Sequence, residues 1–420
     1  MEAGRDIRAG DVVRFKPTSE PAASPPMAEK SVRVMQWNIE RGAEFRRIAQ
    51  VLKDVNADVL CLQELDIGCE RSSMRNVPQL LADELGMEGY FLCEFQELEP
   101  VPNPRKAEHA AGPHARHGNA IFTRLPVLAY GSAPHTANLD WAVHGAVVDE
   151  PRIGARGLQW VKLQLPEGGI LHVYSSHFEV FCGPNMRVQQ FVDMLKLAER
   201  HRDMLPKDKV ESFKAIFCGD FNTMAHGIVR FSPKYARDRW RYMLWGETEG
   251  EWFGRHFIDG ERSPYRPGIG ASSGMLPVLH RSLFTALVFA SRTDAFVVMR
   301  MLERYPLADP FDIYNDVTLN NPAYKGFVQG KFDWLLATRR TLCPQAQRIV
   351  NKDYRASDHA GLVVDYSIDT PVPNSVPSVR QPAWRNVMRW GVRLGQVWIA
   401  WAVATTVIRF VASSAAVTTA

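Results

Sequence analysis

The stretch Phe217-Cys218-Gly219-Asp220-Phe221-Asn222-Thr223 closes an apolar run that begins at Ala215. A short apolar run that stops at a glycine is typical of a buried strand. Proteins of the α/β class place their chemistry just beyond the carboxyl ends of such strands. We therefore expect Asp220 and Asn222 to line a functional site. The alternative is that both residues only form a turn, because Asx side chains often bond the backbone after a strand.

The composition indicates a globular protein with room for one large α/β domain or two smaller ones. The chain has 420 residues, 46% of them hydrophobic, and a formal net charge of +4. So small a charge does not require a nucleic-acid partner, although it tolerates a phosphorylated substrate. The six cysteines form no CxxC pair, and the N-terminus lacks the apolar core of a signal peptide. We expect a reducing, intracellular location.

Strand-like runs alternate with helical patterns along residues 31–368, and each run is followed by a polar side chain. The runs at 32–37 and 59–62 flank a helical pattern and predict a βαβ unit. A helix is predicted over 77–85 with Gly86 as its stop signal. Residues 158–165 and 170–175 predict a hairpin around Gly168, and a helix with apolar positions from Val188 to Leu195 leads into the strand before Asp220. Further strands are predicted at 119–123, 332–337 and 361–366.

Eight polar residues lie at or beside the ends of these predicted strands. They are Asn38, Glu64, His177, Asp220, Asn222, Asp333, Asp358 and His359. Carboxylate and amide oxygens are the ligands that Mg²⁺ prefers, and it is usually bound through one or two carboxylates together with substrate phosphate. Histidines beside such an ion can move protons or stabilise a developing charge. Each residue alone has a structural explanation, but eight together indicate a metal-assisted phosphate site that requires Mg²⁺ or Mn²⁺.

Seven short motifs, in order along the chain, resemble those of the endonuclease/exonuclease/phosphatase superfamily, which includes deoxyribonucleases, neutral sphingomyelinases and inositol polyphosphate 5-phosphatases. The motifs are Gln36-Trp37-Asn38-Ile39, Leu62-Gln63-Glu64, Gly118-Asn119-Ala120-Ile121, Ser176-His177-Phe178, Gly219-Asp220-Phe221-Asn222, Phe332-Asp333-Trp334-Leu335 and Ser357-Asp358-His359. The resemblance covers residues 31–368. It implies a four-layer α/β sandwich, in which two packed, twisted sheets are flanked by helices.

The resemblance also implies roles for the eight residues. Glu64 would hold the main Mg²⁺, with Asn38 and Asp358 near it. Asp220 would orient or activate the attacking water, and Asn222 would hold the scissile phosphate. His359 would act as general base or phosphate stabiliser with Asp333 fixing its tautomer, and His177 would contact the phosphate or protonate the leaving oxygen. The implied reaction is in-line hydrolysis of a P–O bond.

The shared core does not name the substrate. Ser176-His177 and Phe221 depart from the pattern of abasic-site endonucleases, which argues against that branch. We expect a phosphodiesterase acting on nucleic acid or on a phospholipid such as sphingomyelin. Two alternatives are a phosphomonoesterase of the inositol-phosphate type and a non-catalytic, membrane-associated binding or scaffold protein. Arg71 either grips a second phosphate or is a solvated loop residue. The oligomeric state is not indicated.

Segments outside the core have distinct compositions. Residues 1–30 are polar with four prolines and predict a flexible leader. Residues 224–330 are interpreted as a partly helical insertion that forms one side of the site. Residues 369–383 are interpreted as a proline-rich linker. Residues 384–420 predict a hydrophobic C-terminal helix, because 397–417 span 21 residues with a single charge, Arg409, and a bilayer-crossing helix needs about 20. This helix could span a membrane, lie on it, or dock on protein.

Overall fold

Two β-sheets packed face to face form the centre of the protein in the computed structural model. The structure describes residues 6–19, 31–98, 111–148, 150–223, 248–254, 258, 306–313, 315–320 and 329–369, together with positions 398, 401–402 and 405–406. In chain order the strands are β1 (Val12–Phe15), β2 (Ser31–Arg41), β3 (Val59–Cys69), β4 (Glu88–Glu97), β5 (Ala111–Thr123), β6 (Val127–Pro134), β7 (Arg152–Gly154), β8 (Gly157–Gln164), β9 (Ile170–Ser176), β10 (Lys214–Asp220), β11 (Leu307–Ala308), β12 (Leu319–Asn320), β13 (Gln329–Gly330), β14 (Asp333–Thr338), β15 (Cys343–Val350) and β16 (Gly361–Ser367). The α-helices are α1 (Phe45–Val55), α2 (Val77–Leu85), α3 (Trp141–His144), α4 (Pro184–Asp203) and α5 (Glu249–Phe253).

The larger sheet has eight strands in the order β1-β4-β5-β3-β2-β16-β15, with β7 also paired to β4. β2 and β3 are parallel and are joined through α1, which confirms the predicted βαβ unit. The smaller central sheet has six strands in the order β11-β14-β10-β9-β8-β6. Its β8 and β9 form the predicted antiparallel hairpin, with Gly168 at φ +89° in the turn. β12 and β13 form a separate two-stranded ribbon.

Four layers follow from the way the apolar faces are buried. Side chains from the inner faces of both sheets, such as Val34, Cys61, Ile216 and Cys218, form one core between them. The outer face of the larger sheet packs against α1 and α2, and that of the smaller sheet packs against α4. This confirms the expected α/β sandwich of two packed sheets flanked by helices.

The caps of α2 show how closely local sequence sets an element. The side chain of Asn76 accepts a hydrogen bond from the backbone N–H of Gln79, and Pro78 lies in the first turn, where no N–H is needed. Gly86 ends the helix in the left-handed conformation at φ 60°. The helix therefore has the bounds that its apolar spacing and stop signal predict.

The N-terminal segment corrects one prediction. Residues 12–15, predicted to belong to a flexible leader, form β1 and pair antiparallel with β4. Phe15 packs edge-on against Phe91 with ring centroids 6.3 Å apart, and Arg14 pairs with Glu88. The run Val12-Val13-Arg14-Phe15 was too short to predict as a strand, because an edge strand of four residues gains its stability from the sheet that it joins.

Several other predictions concern residues that the structure describes only in part. Within the proposed insertion 224–330, α5 packs Phe253 against Phe191 and Trp334, and β11 pairs with β14. The rest of the insertion, the linker and nearly all of the C-terminal helix lie outside the described residues. No helix in the described ranges has the length and apolar character needed to cross a bilayer.

Gly219 allows two strands to approach more closely than a side chain would permit. Its φ is +143°, and a Cβ built there would lie 1.8 Å from the carbonyl oxygen of Ser176. We expect Gly219→Ala to destabilise the fold more than Gly168→Ala. The φ at Gly168 is also unfavourable for alanine, but a Cβ there would have no atom within 4 Å. The difference should be roughly 1 to 3 kcal/mol, the cost of overpacking a filled core. Urea unfolding of both variants measures it, and equal losses would contradict the argument.

Candidate active site

Strand directions bring the predicted side chains to one edge of the sandwich. β9 and β10 run parallel with Ser175 opposite Cys218, so His177 and Asp220 leave the sheet side by side. β14 runs antiparallel to β10 and begins with Asp333, which lies directly opposite Asp220. Because one strand ends where its antiparallel neighbour begins, residues far apart in sequence meet at this edge.

Asn38 and Glu64 reach the same edge from irregular positions of the larger sheet. The pairing of β2 with β3 shifts register after Asn38, and that of β3 with β5 shifts between Leu62 and Leu65. Glu64 lies in this bulge at φ 58°, a left-handed conformation that a non-glycine residue rarely adopts. Both residues were expected just past the ends of their strands, but the strands continue to Arg41 and Cys69. The bulges, rather than strand ends, turn the two side chains toward the site.

One carboxylate oxygen lies at the centre of the site. The Oδ2 atom of Asp220 accepts a hydrogen bond from Asn38 Nδ2 at 3.0 Å. It also lies 3.4 Å from Nε2 of His177 and 3.7 Å from Nε2 of His359. Asn38 Nδ2 lies 3.2 Å from Glu64 Oε1 as well. Three nitrogen atoms from three parts of the chain therefore converge on one oxyanion beside a second carboxylate.

The two carboxylates have opposite pKa shifts. Burial raises the pKa of Asp220 to about 7, with the His359 charge opposing the rise and Asp333 adding to it. Burial would also raise the pKa of Glu64, but the charges of Arg41 and His117 and the hydrogen bond from Asn38 outweigh it and lower that pKa to about 2. Glu64 is thus ionised at neutral pH, whereas Asp220 is close to the pKa that suits a general base.

His359 and Asp333 form the dyad that the resemblance implied. The Nδ1 atom of His359 lies 2.7 Å from Asp333 Oδ2, and the other oxygen of Asp333 accepts a hydrogen bond from Gln36 Nε2 at 2.9 Å. Burial lowers the pKa of His359, but the charges of Asp333 and Asp220 outweigh it and raise that pKa well above the usual value. The carboxylate fixes Nδ1 as the donor, which leaves Nε2 facing Asp220.

Asn222 and Asp358 are less closely engaged with this centre. The backbone N–H of Asn222 donates to Asp220 Oδ1 at 2.9 Å, and its Nδ2 donates to the carbonyl of Phe178 at 2.9 Å. Asn222 thus closes the turn after β10, and its predicted contact with phosphate stays a prediction. Asp358 is half-buried, and its charge contributes to the raised pKa of His359. Its predicted role as a metal ligand likewise remains a prediction.

Sequence reasoning missed several residues that build the site. Arg156 and Glu94 form a buried ion pair at 2.8 Å behind His177. Asn119 accepts from the backbone N–H of Glu64 at 3.4 Å and so supports the bulge. Asn119 stands in a recognised motif, which could have signalled its role. Arg156 and Glu94 lie in no recognised motif, and they are brought together by the pairing of β4 with β7, just before Arg156.

Arg71 has neither of the roles considered for it. Its side chain is buried, with its Nε and Nη2 atoms 2.7 Å and 2.8 Å from the two oxygens of Asp66. Nη2 also donates to Glu97 at 2.9 Å, and His117 Nδ1 lies 2.8 Å from Asp66. Arg71 is therefore part of a buried ionic network rather than a solvated loop residue or an available phosphate ligand.

The residues present fit a hard divalent cation. Ionised Glu64 offers carboxylate oxygens next to the raised-pKa Asp220, and ligand atoms of Asp220, Asp333 and His359 lie within 4.8 Å of one another. Oxygen donors with at most one imidazole suit Mg²⁺ or Mn²⁺ better than a thiolate-preferring metal. Asn38 presents its NH2 group to the carboxylates, while its Oδ1 accepts from the backbone N–H of Glu40 at 3.0 Å. Its predicted role as an oxygen ligand is therefore not seen in this conformation and stays a prediction.

Comparison with known proteins gives one match to a family and several to solved structures. Residues 35–359 match the Endonuclease/Exonuclease/phosphatase family. An endonuclease/exonuclease/phosphatase from Beutenbergia cavernae DSM 12333 is 18% identical, with a TM-score of 0.44, over 85% of this chain and 76% of that one. The human Nocturnin catalytic domain with bound sulfate is 17% identical, with a TM-score of 0.41, over 85% and 97%. ANGEL2, a 2′,3′-cyclic phosphatase, is 14% identical, with a TM-score of 0.43, over 87% and 100%.

Likenesses this remote say nothing about the substrate of this chain. No curated protein matches it in sequence. The family match, however, spans most of the chain and includes every residue of the site from Asn38 to His359. The chain therefore belongs to the endonuclease/exonuclease/phosphatase family, the divalent-metal-dependent hydrolases of phosphoric ester bonds.

Proposed function

We propose that this protein is a Mg²⁺-dependent phosphodiesterase that hydrolyses a P–O bond by in-line attack of water. The observation that carries the proposal is the convergence of Asn38, His177 and His359 on the carboxylate of Asp220, beside ionised Glu64. Donors fixed in a buried site stabilise developing charge without having to reorganise during the reaction. Phosphoryl chemistry needs little else from a protein than positioning and such stabilisation.

Each residue of the site has a proposed part. Glu64, with Asn38 and Asp358 near it, would hold Mg²⁺, which supplies Lewis-acid stabilisation of the phosphoryl oxygens when bound. Asp220, whose pKa is raised to about 7 by burial, orients the water and accepts its proton. His359, held by Asp333, stabilises negative charge on the phosphate. His177 and Asn222 donate hydrogen bonds to the phosphate oxygens.

The balance of charge favours a phosphodiester over a monoester. In the described part of the site, each buried arginine is paired with a carboxylate. These pairs are Arg71 with Asp66, Arg152 with Glu97 and Arg156 with Glu94, at 2.7 Å, 3.6 Å and 2.8 Å. Arg41 and His359 are the cationic groups turned toward the reacting centre. A singly charged diester needs less compensation than a doubly charged terminal phosphate.

The substrate class is open to a direct test. A hydrolysis panel with Mg²⁺ compares single-stranded and duplex nucleic acid, sphingomyelin vesicles, inositol phosphates and 2′,5′-linked adenylates, with His359→Ala as the control. Cleavage of nucleic acid or sphingomyelin supports the diesterase. Cleavage of inositol phosphates alone supports a phosphomonoesterase, and no metal-dependent cleavage at all supports a binding or scaffold protein.

We also propose that the C-terminal helix binds a membrane and that the protein works in a reducing compartment inside the cell. None of the six cysteines forms a disulfide, and all six are buried. In the tail, Trp398 and Trp401 are 67% and 63% exposed, and they lie three residues apart, on one side of a helix. Arg385, Arg389 and Arg393 precede them in sequence. Basic residues followed by tryptophans suit an interface of anionic lipid.

Removal of the proposed metal ligand should abolish turnover. We expect Glu64→Ala to lower kcat/KM by more than the roughly 10- to 100-fold typical of residues that only support a metal ligand. Chelation with EDTA should have the same effect and Mg²⁺ should reverse it. Glu84→Ala, which breaks an exposed pair with Lys53, is the matched control. Unchanged activity after Glu64→Ala and exhaustive chelation would rule out the mechanism.

The Asp333 carboxylate should matter for turnover more than for folding. Asp333→Asn keeps the size of the side chain but no longer fixes the His359 ring as a carboxylate does, so we expect kcat to fall roughly 10- to 100-fold. The melting temperature should stay close to that of the wild type. Asp365→Asn, which weakens the pair with Arg33 elsewhere in the sandwich, should leave kcat unchanged. Wild-type turnover in Asp333→Asn would make Asp333 merely a strand residue.

The tail should decide membrane binding. We expect the full-length protein to sediment with vesicles that contain anionic lipid, and a chain truncated after Asp369 to stay in the supernatant. Alkaline carbonate removes a helix that lies on the surface but not one that crosses the bilayer. A full-length chain found wholly in the soluble fraction would contradict both membrane arrangements and favour docking on protein.

A further inference from the structure

A buried guanidinium stands directly behind His177. Arg156, just before β8, is 4% exposed, and its Nη1 donates to Glu94 Oε2 at 2.8 Å. The other oxygen of Glu94 accepts from the backbone N–H of Gly157 at 2.9 Å. The guanidinium also lies over the ring of Phe95, 5.2 Å from its centroid. An ion pair, a backbone contact and an aromatic face therefore fix the position of Arg156.

The same Nη1 atom lies 3.0 Å from Nδ1 of His177. Arginine is always protonated and has no acceptor. A proton on Nδ1 of His177 would therefore face an N–H of Arg156. Nδ1 thus has to be unprotonated and accepts the hydrogen bond from Arg156. A neutral imidazole carries a single ring proton, which is then on Nε2. That nitrogen is the one 3.4 Å from Asp220 Oδ2, on the side of the reacting centre.

We propose that Arg156 is a positioning residue that holds His177 as the Nε2–H tautomer, so that His177 donates a hydrogen bond to the phosphoester and does not protonate the leaving group. The inference rests on the proposed function and deepens it. A neutral imidazole that gave up its only proton would become an anion, so this tautomer is a hydrogen-bond donor and not an acid. Burial and the Arg156 charge also lower the pKa of His177 well below its usual value, which agrees with a neutral ring.

The two histidines on either side of Asp220 thus have partners of opposite charge on Nδ1. His359 has a carboxylate on Nδ1, the Oδ2 atom of Asp333 at 2.7 Å, whereas His177 has a guanidinium there at 3.0 Å. A carboxylate accepts a hydrogen bond from a protonated Nδ1, whereas a guanidinium donates one to an unprotonated Nδ1. The site therefore contains two imidazoles with different chemistry, and the proton that the leaving oxygen takes up has to come from a group other than His177, such as solvent.

The tautomer can be read directly by ¹⁵N NMR on full-length protein labelled at histidine, with the His177 signals assigned by their loss in His177→Gln. We expect Nδ1 at the position of an unprotonated ring nitrogen and Nε2 at that of a protonated one. Arg156→Met should move the signals toward a mixture of tautomers, and Arg156→Lys, which keeps a cationic donor, should restore them. Arg33→Met, which removes a partly buried arginine elsewhere, should have no effect. A protonated Nδ1 in the wild type, or unchanged signals in Arg156→Met, would overturn the proposal.

Leaving-group dependence gives a second test. The 4-nitrophenyl and phenyl esters of thymidine 5′-phosphate differ in their leaving group. The departing oxygen of the phenyl ester has the greater need of a proton. His177→Gln replaces the Nε2–H donor with an amide N–H that is not an acid. We expect it to slow both esters by the same factor and to retain more activity than His177→Ala, which should lose roughly 100- to 1,000-fold, as when a fixed donor to a developing oxyanion is removed.

The two possible failures can be told apart. A loss in His177→Gln that is much larger for the phenyl ester would make His177 the acid and overturn the inference. A wild-type chain that cleaves neither ester, and none of the nucleic acids or sphingomyelin of the panel above, would contradict the proposed diesterase. In that case the NMR signals still decide the role of Arg156, because they do not depend on turnover.

Discussion

Two buried carboxylates lie opposite each other in adjacent strands, Asp220 at the end of β10 and Asp333 at the start of β14. Both are almost fully buried, and like charges at this spacing destabilise a fold unless donors surround them. Asn38 donates a hydrogen bond to Asp220, and Nε2 of His359 faces the same carboxylate. Gln36 donates to Asp333 from the opposite sheet. The larger sheet thus brings donors to the acids of the smaller sheet. The site is therefore also the polar part of the interface between the sheets.

A second layer of charge surrounds the first. Arg71, Arg152 and Arg156 are buried, and each is paired with at least one carboxylate. Burial of such pairs is costly and rarely adds stability, so their use is more readily explained by what they orient. Arg156 orients His177, and the Asp66 network places His117 where its charge helps to keep Glu64 ionised. The outer pairs thus set the chemical state of the groups that face the substrate.

Aromatic packing holds the connections that carry the site. Phe178 and Phe221, each one residue from a site residue, stack with ring centroids 4.2 Å apart. Phe253 of α5 packs on Phe221 and on Trp334, at 6.0 Å and 5.1 Å. The turns after β9 and β10 are therefore buried on one side and polar on the other. In His177-Phe178, for example, His177 is a hydrogen-bond donor in the site and Phe178 packs in the core.

The βαβ unit, the hairpin, the end of α2 at Gly86 and the polar residues at the strand ends could be predicted from the sequence, because strand periodicity and turn residues are local properties. It also showed the family, through short motifs whose order is written in the chain. Packing between strands places Asn38 and Glu64 in bulges, makes residues 12–15 a strand and buries Arg71 in an ionic network. The same packing sets the state of His177, since Arg156 and Glu94 are far apart in sequence. A side chain's hydrogen-bond partner is set by which strands pack together, and local sequence carries no signal of that packing.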